Sequence, residues 1–500
     1  MINNIRTALK GSLIYSLSNA ASKVIGLILM PLYMNHLSVS EYGTLGILDA
    51  TSQILVAVFG LGIWYAFERW YWDENYIHDR RSVYFSVLTY SFWIGIFLVF
   101  TISLFSTPLS QILFNNGKYS GTLILMAGIA GLQILNQNPL TLLRLKNKPL
   151  LFTFISLIKL FSVLTLTIYF LSIRHKKVDG IYEAQLIAES LTFLLLLFLS
   201  YRDLEIKLNG KALKEMVIFR LPMAFSSVFV VLLSFTDRYA LKFLNNLEQV
   251  GLYSVGFKLA NTIKIVIVAS AWYAITPLVY KMMNQKGNKR FYSKIMTYFS
   301  FGLMFFVLGL SVFGKEIVYF LSLIANNTEY QQAYQIIPII SFAIFFGMLK
   351  DVATIGLNIT KKTKIIAIIT MIISLINLGL NILFIPHFYF VGAAVSTLMS
   401  QLFFFILVLH FAQKAYPIPY ELKKVFFIGI SGLVIVLLGY KLNDIYLPLR
   451  ILLKVFLIIL FPVILYPLGF YEKIELLRLK GFWEKWKDPS RFWQNIKSLK

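Results

Sequence analysis

Residues 365–385 read IIAIITMIISLINLGLNILFI, a run without a single charged side chain. The basic stretch TKKTK (360–364) comes directly before it. Because about 20 apolar residues in a helix span the hydrocarbon core of a bilayer, this run predicts a transmembrane helix that begins at a basic loop. Similar runs, separated by short connections, follow one another along almost the whole chain. The sequence therefore predicts an all-α integral membrane protein with many spans.

The composition excludes a set of soluble domains. The 500 residues are 58% hydrophobic and 14% charged, whereas about 25% of the residues of a soluble protein are charged. A net charge of +24 would suggest a nucleic-acid partner in a soluble protein, but membrane proteins concentrate Lys and Arg on cytoplasmic loops, so we expect no nucleic acid. The absence of cysteine excludes disulfides, thiolate catalysis and cysteine-bound metals.

Hydropathy divides the chain into fourteen predicted spans with both termini in the cytoplasm. Arg6 and Lys10 precede the first long apolar run without an obvious cleavage site, which predicts a retained first span and not a signal peptide. The loops on the side of the termini carry about four times as many Lys and Arg residues as the opposite loops, which sets the orientation. The predicted spans are 12–34, 43–66, 82–104, 121–143, 150–172, 180–200, 217–241, 251–279, 295–313, 336–359, 365–385, 391–412, 424–440 and 448–468.

An internal repeat relates the first six predicted spans to the next six. EYGTLGI (41–47) resembles QVGLYSV (249–255) at an offset of 208, and RLKNK (144–148) resembles ITKKTK (359–364). VDGIYEA (178–184) parallels FVGAAVS (390–396) in the same way. Two pseudo-symmetric six-helix bundles around a central cavity are a transporter architecture. We therefore predict bundles over 1–215 and 216–413, two additional transmembrane helices over 414–468, and a basic, aromatic cytoplasmic tail over 469–500.

The chain contains no familiar enzyme motif. It lacks the G-x-x-x-x-G-K-[ST] loop, H-E-x-x-H and G-x-S-x-G, and its five histidines have no metal-ligand spacing. We predict no catalytic residues, no metal and no cofactor. An integral-membrane glycan polymerase or ligase would need a large outer loop, and the longest one predicted here is 314–335.

Ionisable side chains recur inside the predicted spans, where they are costly unless they face water or a partner. In the tenth span, Asp351, Thr354 and Asn358 follow at three- and four-residue spacing, which puts them on one helix face. Two interpretations stay open: structural ion pairs, or a hydrated cavity that favours an anionic substrate such as pyrophosphate. The charged residues that we assign to the cavity by span membership are Lys23, Lys159, Arg238, Lys258, Lys264 and Lys350, with Asp49, Glu189, Asp237 and Asp351.

Two segments carry a resemblance to a known family. SLSNAASKVIGLILMPLYMNHLSVSEYGTLGIL (16–48) and TDRYALKFLNNLEQVGLYSVGFKLA (236–260) resemble the starts of the two halves of bacterial polysaccharide-biosynthesis flippases, of the multidrug/oligosaccharidyl-lipid/polysaccharide exporter superfamily. The resemblance implies a flippase of the bacterial cytoplasmic membrane that moves undecaprenyl-pyrophosphate-linked oligosaccharide outward by alternating access, for O-antigen or capsule. It implies substrate binding by Lys23, Arg238, Lys258 and Lys264. The implied partners are the lipid-linked substrate, membrane lipids, and a glycan polymerase and chain-length regulator as candidates.

Asp49, Glu189, Asp237, Lys159, Lys350 and Asp351 are our remaining cavity or gating candidates. For the gate, we expect Asp49 of the first bundle to pair with Lys258 or Arg238 of the second when the outer side is closed. The alternative is that Asp237 and Arg238 satisfy neighbours within their own bundle. Alternative substrates are a drug or lipid II, carried by an exporter of the same superfamily.

Overall fold

The computed structural model describes residues 26–473 and 475–477, without the side chains of residues 225, 226, 273 and 274. Within this part of the chain every regular element is helical. Among the described residues, eleven helices are long and apolar enough to cross a membrane, and a twelfth span results if the two bent segments Gly210–Ala224 and Ser227–Leu244 count as one. The predicted all-α membrane class is confirmed. Most of the first predicted span and most of the basic tail lie outside the described residues.

The helices follow the apolar runs of the sequence. The first is helical over 26–36 in the described part and is called α1. The others are α2 (Val39–Gly60), α3 (Ile63–Trp70), α4 (Arg80–Phe114), α5 (Ser120–Leu145), α6 (Pro149–Ile168), α7 (Val178–Ser200), α8 (Gly210–Leu244), α9 (Leu247–Ile263), α10 (Ala269–Met282), α11 (Asn288–Val312), α12 (Gly314–Ile324), α13 (Ile337–Ile359), α14 (Thr363–Ala415), α15 (Leu422–Lys441) and α16 (Leu447–Leu465). A π-helical segment, Lys264–Val268, joins α9 to α10.

Helix α14 contains two antiparallel arms, which correspond to the two predicted spans 365–385 and 391–412. Tyr389 has non-helical angles (φ 53°, ψ −134°) and interrupts the helix. Across this break, the Asn377 amide donates to the Ser400 hydroxyl at 3.2 Å, and a Cβ added to Gly392 would collide with the carbonyl of Phe384. The chain therefore reverses at Tyr389, and a glycine is needed where the two arms meet.

The predicted outer loop 314–335 is largely helical, which corrects that prediction. It contains α12 and the 3₁₀ segment Gln331–Ile336. One of its three tyrosines, Tyr330, is buried and donates to the carbonyl of Leu37 at 2.8 Å. This segment therefore packs against the connection between α1 and α2 and does not form a large free loop.

The chain divides into two compact units. The larger unit holds the described residues up to Asn288 together with Gly314–Pro417, and the smaller unit holds Lys289–Phe313 with the described residues from Ile418 onward. Inside the smaller unit, Lys294 joins Glu421 and Glu472 in an ion-pair cluster. The larger unit holds α1–α10 and α12–α14, which carry the polar residues discussed below. The predicted boundaries of the two six-helix bundles stay a prediction from the repeat.

The repeat has a local structural counterpart at the starts of α2 and α9. Ser38 and Glu41 form a capping box at α2, and Asn246, 208 positions after Ser38, caps α9 by accepting from the backbone N–H of Gln249 at 3.0 Å. Such caps satisfy backbone donors that would otherwise be unpaired at a helix start. The two equivalent helices therefore begin at equivalent residues.

Candidate functional site

Helices α2 and α9 cross with their backbones in close approach at equivalent glycines. A Cβ added to Gly43 would lie 2.9 Å from the carbonyl carbon of Leu247, and one added to Gly251 would lie 2.9 Å from the carbonyl carbon of Val39. Gly43 and Gly251, like Val39 and Leu247, are 208 residues apart, so the contact is reciprocal. Only glycine allows two helices to approach this closely. The crossing joins the two halves of the repeat.

A cavity of ≈ 500 Å³ with apolar and polar walls lies between the two halves, and we call it the central cavity. Leu27 of α1 and Gln53 of α2 line it from the first half. From the second half, Lys258 and Lys264 contribute two cations. Its remaining walls are Phe235, Asn261, Thr262, Ile265, Val266 and Ala269. Two predicted substrate-binding lysines therefore line one cavity. The third, Lys23, lies outside the described residues and stays a prediction.

Lys258 reaches across from the second half to the first. Its Nζ lies 5.5 Å from the ring centroid of Tyr33 in α1, within cation–π range. A Cβ added to Gly26 of α1 would lie 3.0 Å from Lys258 Cε, so the small residue leaves room for the lysine stem. The position of this cation thus depends on how the two halves pack together.

Asp49 does not form the direct ion pair that we predict for the gate. Its carboxylate accepts a hydrogen bond from the Tyr182 hydroxyl at 3.0 Å. Lys258 and Arg238 both interact electrostatically with Asp49, but neither comes within the 4.0 Å of an ion pair among the residues that the structure describes. The tyrosine supplies the donor in place of a cation, and the opposite charges attract each other over a longer distance.

Arg238 has a guanidinium group with unused hydrogen-bonding capacity. It lies 5.1 Å from the ring centroid of Phe235 and 5.0 Å from that of Phe257. Within the described part of the chain, its Nε and Nη1 are buried without a hydrogen-bond partner. Phe235 lines the central cavity, and Phe257 lines a second cavity. A buried donor without an acceptor costs about 1–3 kcal/mol, which an anion bound nearby would offset.

Asp237 points away from Arg238, although the two residues are adjacent in sequence. Its buried carboxylate accepts hydrogen bonds from Tyr253 at 2.6 Å, Asn381 at 2.8 Å and Thr397 at 2.5 Å. All three donors belong to the second half of the repeat. Asp237 therefore satisfies neighbours of its own half, as the alternative interpretation states.

A second cavity of ≈ 280 Å³ lies within the second half and includes Asp237. Lys350 and Asp351 also line it and form an ion pair at 2.5 Å, with Lys350 Nζ 4.9 Å from the Phe404 ring. Asn261 and Lys264 line both this cavity and the central one. The two cavities are therefore contiguous at these side chains.

Lys159 and Glu189 belong to the first half and do not line the central cavity. Lys159 Nζ lies 2.5 Å from a Glu189 carboxylate oxygen, and the Asn136 amide donates to the other oxygen at 3.0 Å. Glu189 is 2% exposed. The arrangement is an ion pair between a buried carboxylate and a half-exposed lysine that links α5, α6 and α7, which is the structural interpretation of these charges.

Sequence reasoning missed several of the partners that organise these charges. Tyr182, Tyr253 and Asn381 hold the carboxylates, and Phe235 with Phe257 holds the guanidinium. A signal was available for Tyr182, which lies in the repeated VDGIYEA segment. The aromatic pair had none, because phenylalanines occur throughout the apolar runs.

Comparison with known proteins agrees with this architecture. The model of the family described as "Polysaccharide biosynthesis protein" matches residues 8–283, more than half of the chain. The chain belongs to this family. No curated protein matches the sequence significantly.

Solved structures with the same fold are membrane transporters. The chain is similar to the lipid II flippase MurJ in an inward closed conformation, with a TM-score of 0.73 at 15% identity over 91% of this chain and 99% of MurJ. It is also similar to an inward-facing multidrug resistance transporter of the MATE family (TM-score 0.64, 13% identity, 81% of this chain and 97% of that one). A mutant of the Vibrio cholerae MATE transporter VcmN matches at 0.57 and 13%, over 82% of this chain and 96% of that one. This member of the polysaccharide biosynthesis family therefore shares its fold with a lipid flippase and with multidrug transporters.

Proposed function

We propose that the protein moves undecaprenyl-pyrophosphate-linked oligosaccharide across the bacterial cytoplasmic membrane for synthesis of a surface polysaccharide such as O-antigen or capsule. The observation that carries the proposal is the set of cations at and near the central cavity. Lys258 and Lys264 line it. Arg238 is not among its lining residues but contacts the ring of Phe235 in its wall, and its Nε and Nη1 are buried without an acceptor among the described residues. A pyrophosphate accepts charge-assisted hydrogen bonds from Lys and Arg, which are stronger than hydrogen bonds between neutral groups.

Binding of the pyrophosphate would offset two unfavourable features of these cations. Lys258 and Arg238 repel each other, and each buried N–H of Arg238 without an acceptor costs about 1–3 kcal/mol. A pyrophosphate that accepts from Arg238 and pairs with Lys258 offsets both. Asp49, which interacts with both cations, competes with the anion for them and thereby limits its affinity, so that the substrate is released on the other side.

Alternating access in this proposal uses the crossing of α2 and α9 as the outer seal. The basic loops predict that these helices begin at the outer face. With Gly43 and Gly251 in contact, the cavity is closed on that side and receives substrate from the cytoplasm. Separation of the two glycines then opens it outward, while the lipid tail stays in the bilayer between helices. A glycan polymerase and a chain-length regulator would act on the product.

A lipid II exporter or a multidrug exporter of the same superfamily is the alternative. Lipid II carries the same pyrophosphate, so the cations suit it equally, and only its glycan differs. An exporter of organic cations would need an excess of carboxylates, which the lining of the central cavity does not supply among the described residues. An integral-membrane polymerase or ligase is less favoured, because the segment 314–335 is largely helical.

The test uses the purified protein in liposomes with a fluorescent undecaprenyl-pyrophosphate oligosaccharide in one leaflet. Arg238→Ala should lower the affinity about 10- to 150-fold, since a hydrogen bond to a charged group is worth about 1.5–3 kcal/mol. Arg238→Lys keeps the charge and should lose less. Lys441→Ala removes an exposed lysine at the end of α15 and serves as the matched control.

Two results would contradict the proposal. The first is normal translocation by both Arg238→Ala and Lys258→Ala at normal protein levels. The second is transport of organic cations by the unaltered protein without any movement of the pyrophosphate-linked lipid. Transport of lipid II but not of other lipid-linked glycans would favour the lipid II alternative.

A further inference from the structure

A third cavity, of ≈ 240 Å³, lies between α10 and α13, and neither Lys258 nor Lys264 lines it. Trp272, Thr276 and Tyr280 line it from α10 at four-residue spacing, and Asp351, Thr354 and Asn358 line it from α13. Spacings of three and four put side chains on one helix face. Two helices therefore turn aromatic and polar faces toward a common space.

The polar groups of this cavity offer both hydrogen-bond donors and acceptors. The hydroxyls of Thr276 and Thr354 donate to backbone carbonyls of their own helices at 2.7 and 2.6 Å, so their oxygens act as acceptors toward the cavity. The Asn358 amide and the Tyr280 hydroxyl have no hydrogen-bond partner in the part of the chain that the structure describes, and both side chains are exposed. Each of these two groups can donate and accept, as each hydroxyl of a sugar can.

The charge of the cavity argues against an organic cation as the ligand. Aromatic rings beside a carboxylate would suit a cation, but Asp351 is already paired with Lys350 at 2.5 Å. The local charge is therefore neutral. Rings of Trp272 and Tyr280 beside uncharged hydrogen-bonding groups suit a ligand with an apolar face and a hydroxylated edge, which describes a neutral sugar ring.

The cavity is linked to the proposed pyrophosphate site by side chains that neighbouring cavities share. Asp351 lines this cavity and the second cavity, and Asn261 with Lys264 lines the second cavity and the central one. Trp272 follows Lys264 by eight residues, about 12 Å along a helix at 1.5 Å per residue. A glycan attached to a pyrophosphate at Lys264 can therefore extend along α10 to this cavity.

We propose that the cavity between α10 and α13 is a sugar-binding site that recognises a neutral ring of the glycan through Trp272, Tyr280 and Asn358. This inference rests on the proposed function, because the pyrophosphate site anchors the substrate. In this proposal, the cations of the central cavity bind the pyrophosphate that all such lipids share. The cavity between α10 and α13 binds the glycan, which differs between them.

The experiment compares two probes for binding to the full-length protein in nanodiscs: undecaprenyl pyrophosphate, and the same lipid carrying a neutral trisaccharide. The unaltered protein should bind the glycosylated lipid more tightly. The double variant Trp272→Ala/Asn358→Ala should weaken that binding about 10-fold, from one aromatic contact and one hydrogen bond, and should bind the sugar-free lipid within twofold of normal. Trp272→Phe keeps an apolar face and should retain most of the preference.

Controls distinguish this inference from the proposed function. Trp93→Ala removes a tryptophan that is 62% exposed on α4 and should leave both affinities unchanged. Failure of the unaltered protein to bind either probe contradicts the proposed function. Binding of both probes with equal affinity, or an equal loss of both in Trp272→Ala/Asn358→Ala, overturns the sugar site alone. If the double variant does not fold, Tyr280→Ala with Asn358→Ser provides the same comparison.

Discussion

Replacing Gly43 by alanine should weaken the closed crossing of α2 and α9 without unfolding either helix. The added Cβ would lie 2.9 Å from the carbonyl carbon of Leu247, and ordinary contact begins at 3.4 Å. The carbonyl oxygen of Leu247 would lie still closer to the added Cβ than this carbon, so the helices must separate by more than about 0.5 Å, because backbone atoms cannot rotate away as a side chain can. Overpacking of this kind costs about 1–3 kcal/mol. Because 1.4 kcal/mol is about a tenfold change in population, the closed state should lose about 5- to 150-fold.

A disulfide across the same crossing measures this population. Ser254 Cβ lies 3.4 Å from a Cβ added to Gly46, close to the separation of about 3.5–4.5 Å that a disulfide needs. The chain has no cysteine, so Gly46→Cys/Ser254→Cys introduces the only thiols. The Gly46→Cys/Ser254→Cys variant should form its disulfide more slowly under mild oxidant when Gly43→Ala is added. Gly43→Ala in the cysteine-free protein should also lower glycan export.

The control is another helical glycine without close neighbours. A Cβ added to Gly379 would meet nothing within 4 Å, so Gly379→Ala carries the same gain in helix propensity, up to about 1 kcal/mol, without the collision. Gly251→Ala should reproduce the effect of Gly43→Ala, because the contact is reciprocal. Unchanged crosslinking in both Gly43→Ala and Gly251→Ala would refute the close approach as the basis of the seal.

Three further predictions concern the charged residues. Lys23→Ala should lower export with normal membrane levels of the protein; normal export would remove Lys23 from the substrate site. Asp49→Lys should impair export. The double variant Asp49→Lys/Lys258→Asp should recover part of the export, since exchanging the two opposite charges preserves their attraction. If the double variant exports no better than Asp49→Lys alone, the attraction has no role in gating. Glu189→Ala should destabilise the protein by about 1–3 kcal/mol, because the buried Asn136 amide loses its carboxylate acceptor and the half-exposed Lys159 loses its partner; thermal unfolding in detergent measures it, and an unchanged midpoint would contradict a structural role.

The polar faces of single helices were predictable from periodicity. Asp351, Thr354 and Asn358 were expected on one face of the tenth span, and all three line the same cavity. Lys258 and Asn261, at the same three-residue spacing on α9, both line the central cavity. These predictions succeed because 3.6 residues per turn determine which side chains share a face, whatever the helix packs against.

The partners of the charges were not predictable in the same way. Asp237 and Arg238 are adjacent, and helical periodicity does not predict a partner for either of them. Asp237 accepts hydrogen bonds from Tyr253, Asn381 and Thr397, whereas Arg238 lies beside aromatic rings. Successive residues on a helix point in directions about 100° apart. Which of the two meets a donor therefore depends on the helices that pack on each side.

The sequence by itself determined the membrane class, the helical elements and the internal repeat, because bilayer thickness requires apolar runs of about 20 residues and a repeat is a property of residue order. Only the tertiary structure decided that Gly43 and Gly251 touch, that Lys258 reaches α1 and that Lys159 pairs with Glu189. Each of these contacts joins helices that are separate in the chain. Hydropathy does not distinguish one apolar helix face from another, so it cannot predict which helices pack together. The close packing of small residues and the pairing of buried charges determine which helices meet.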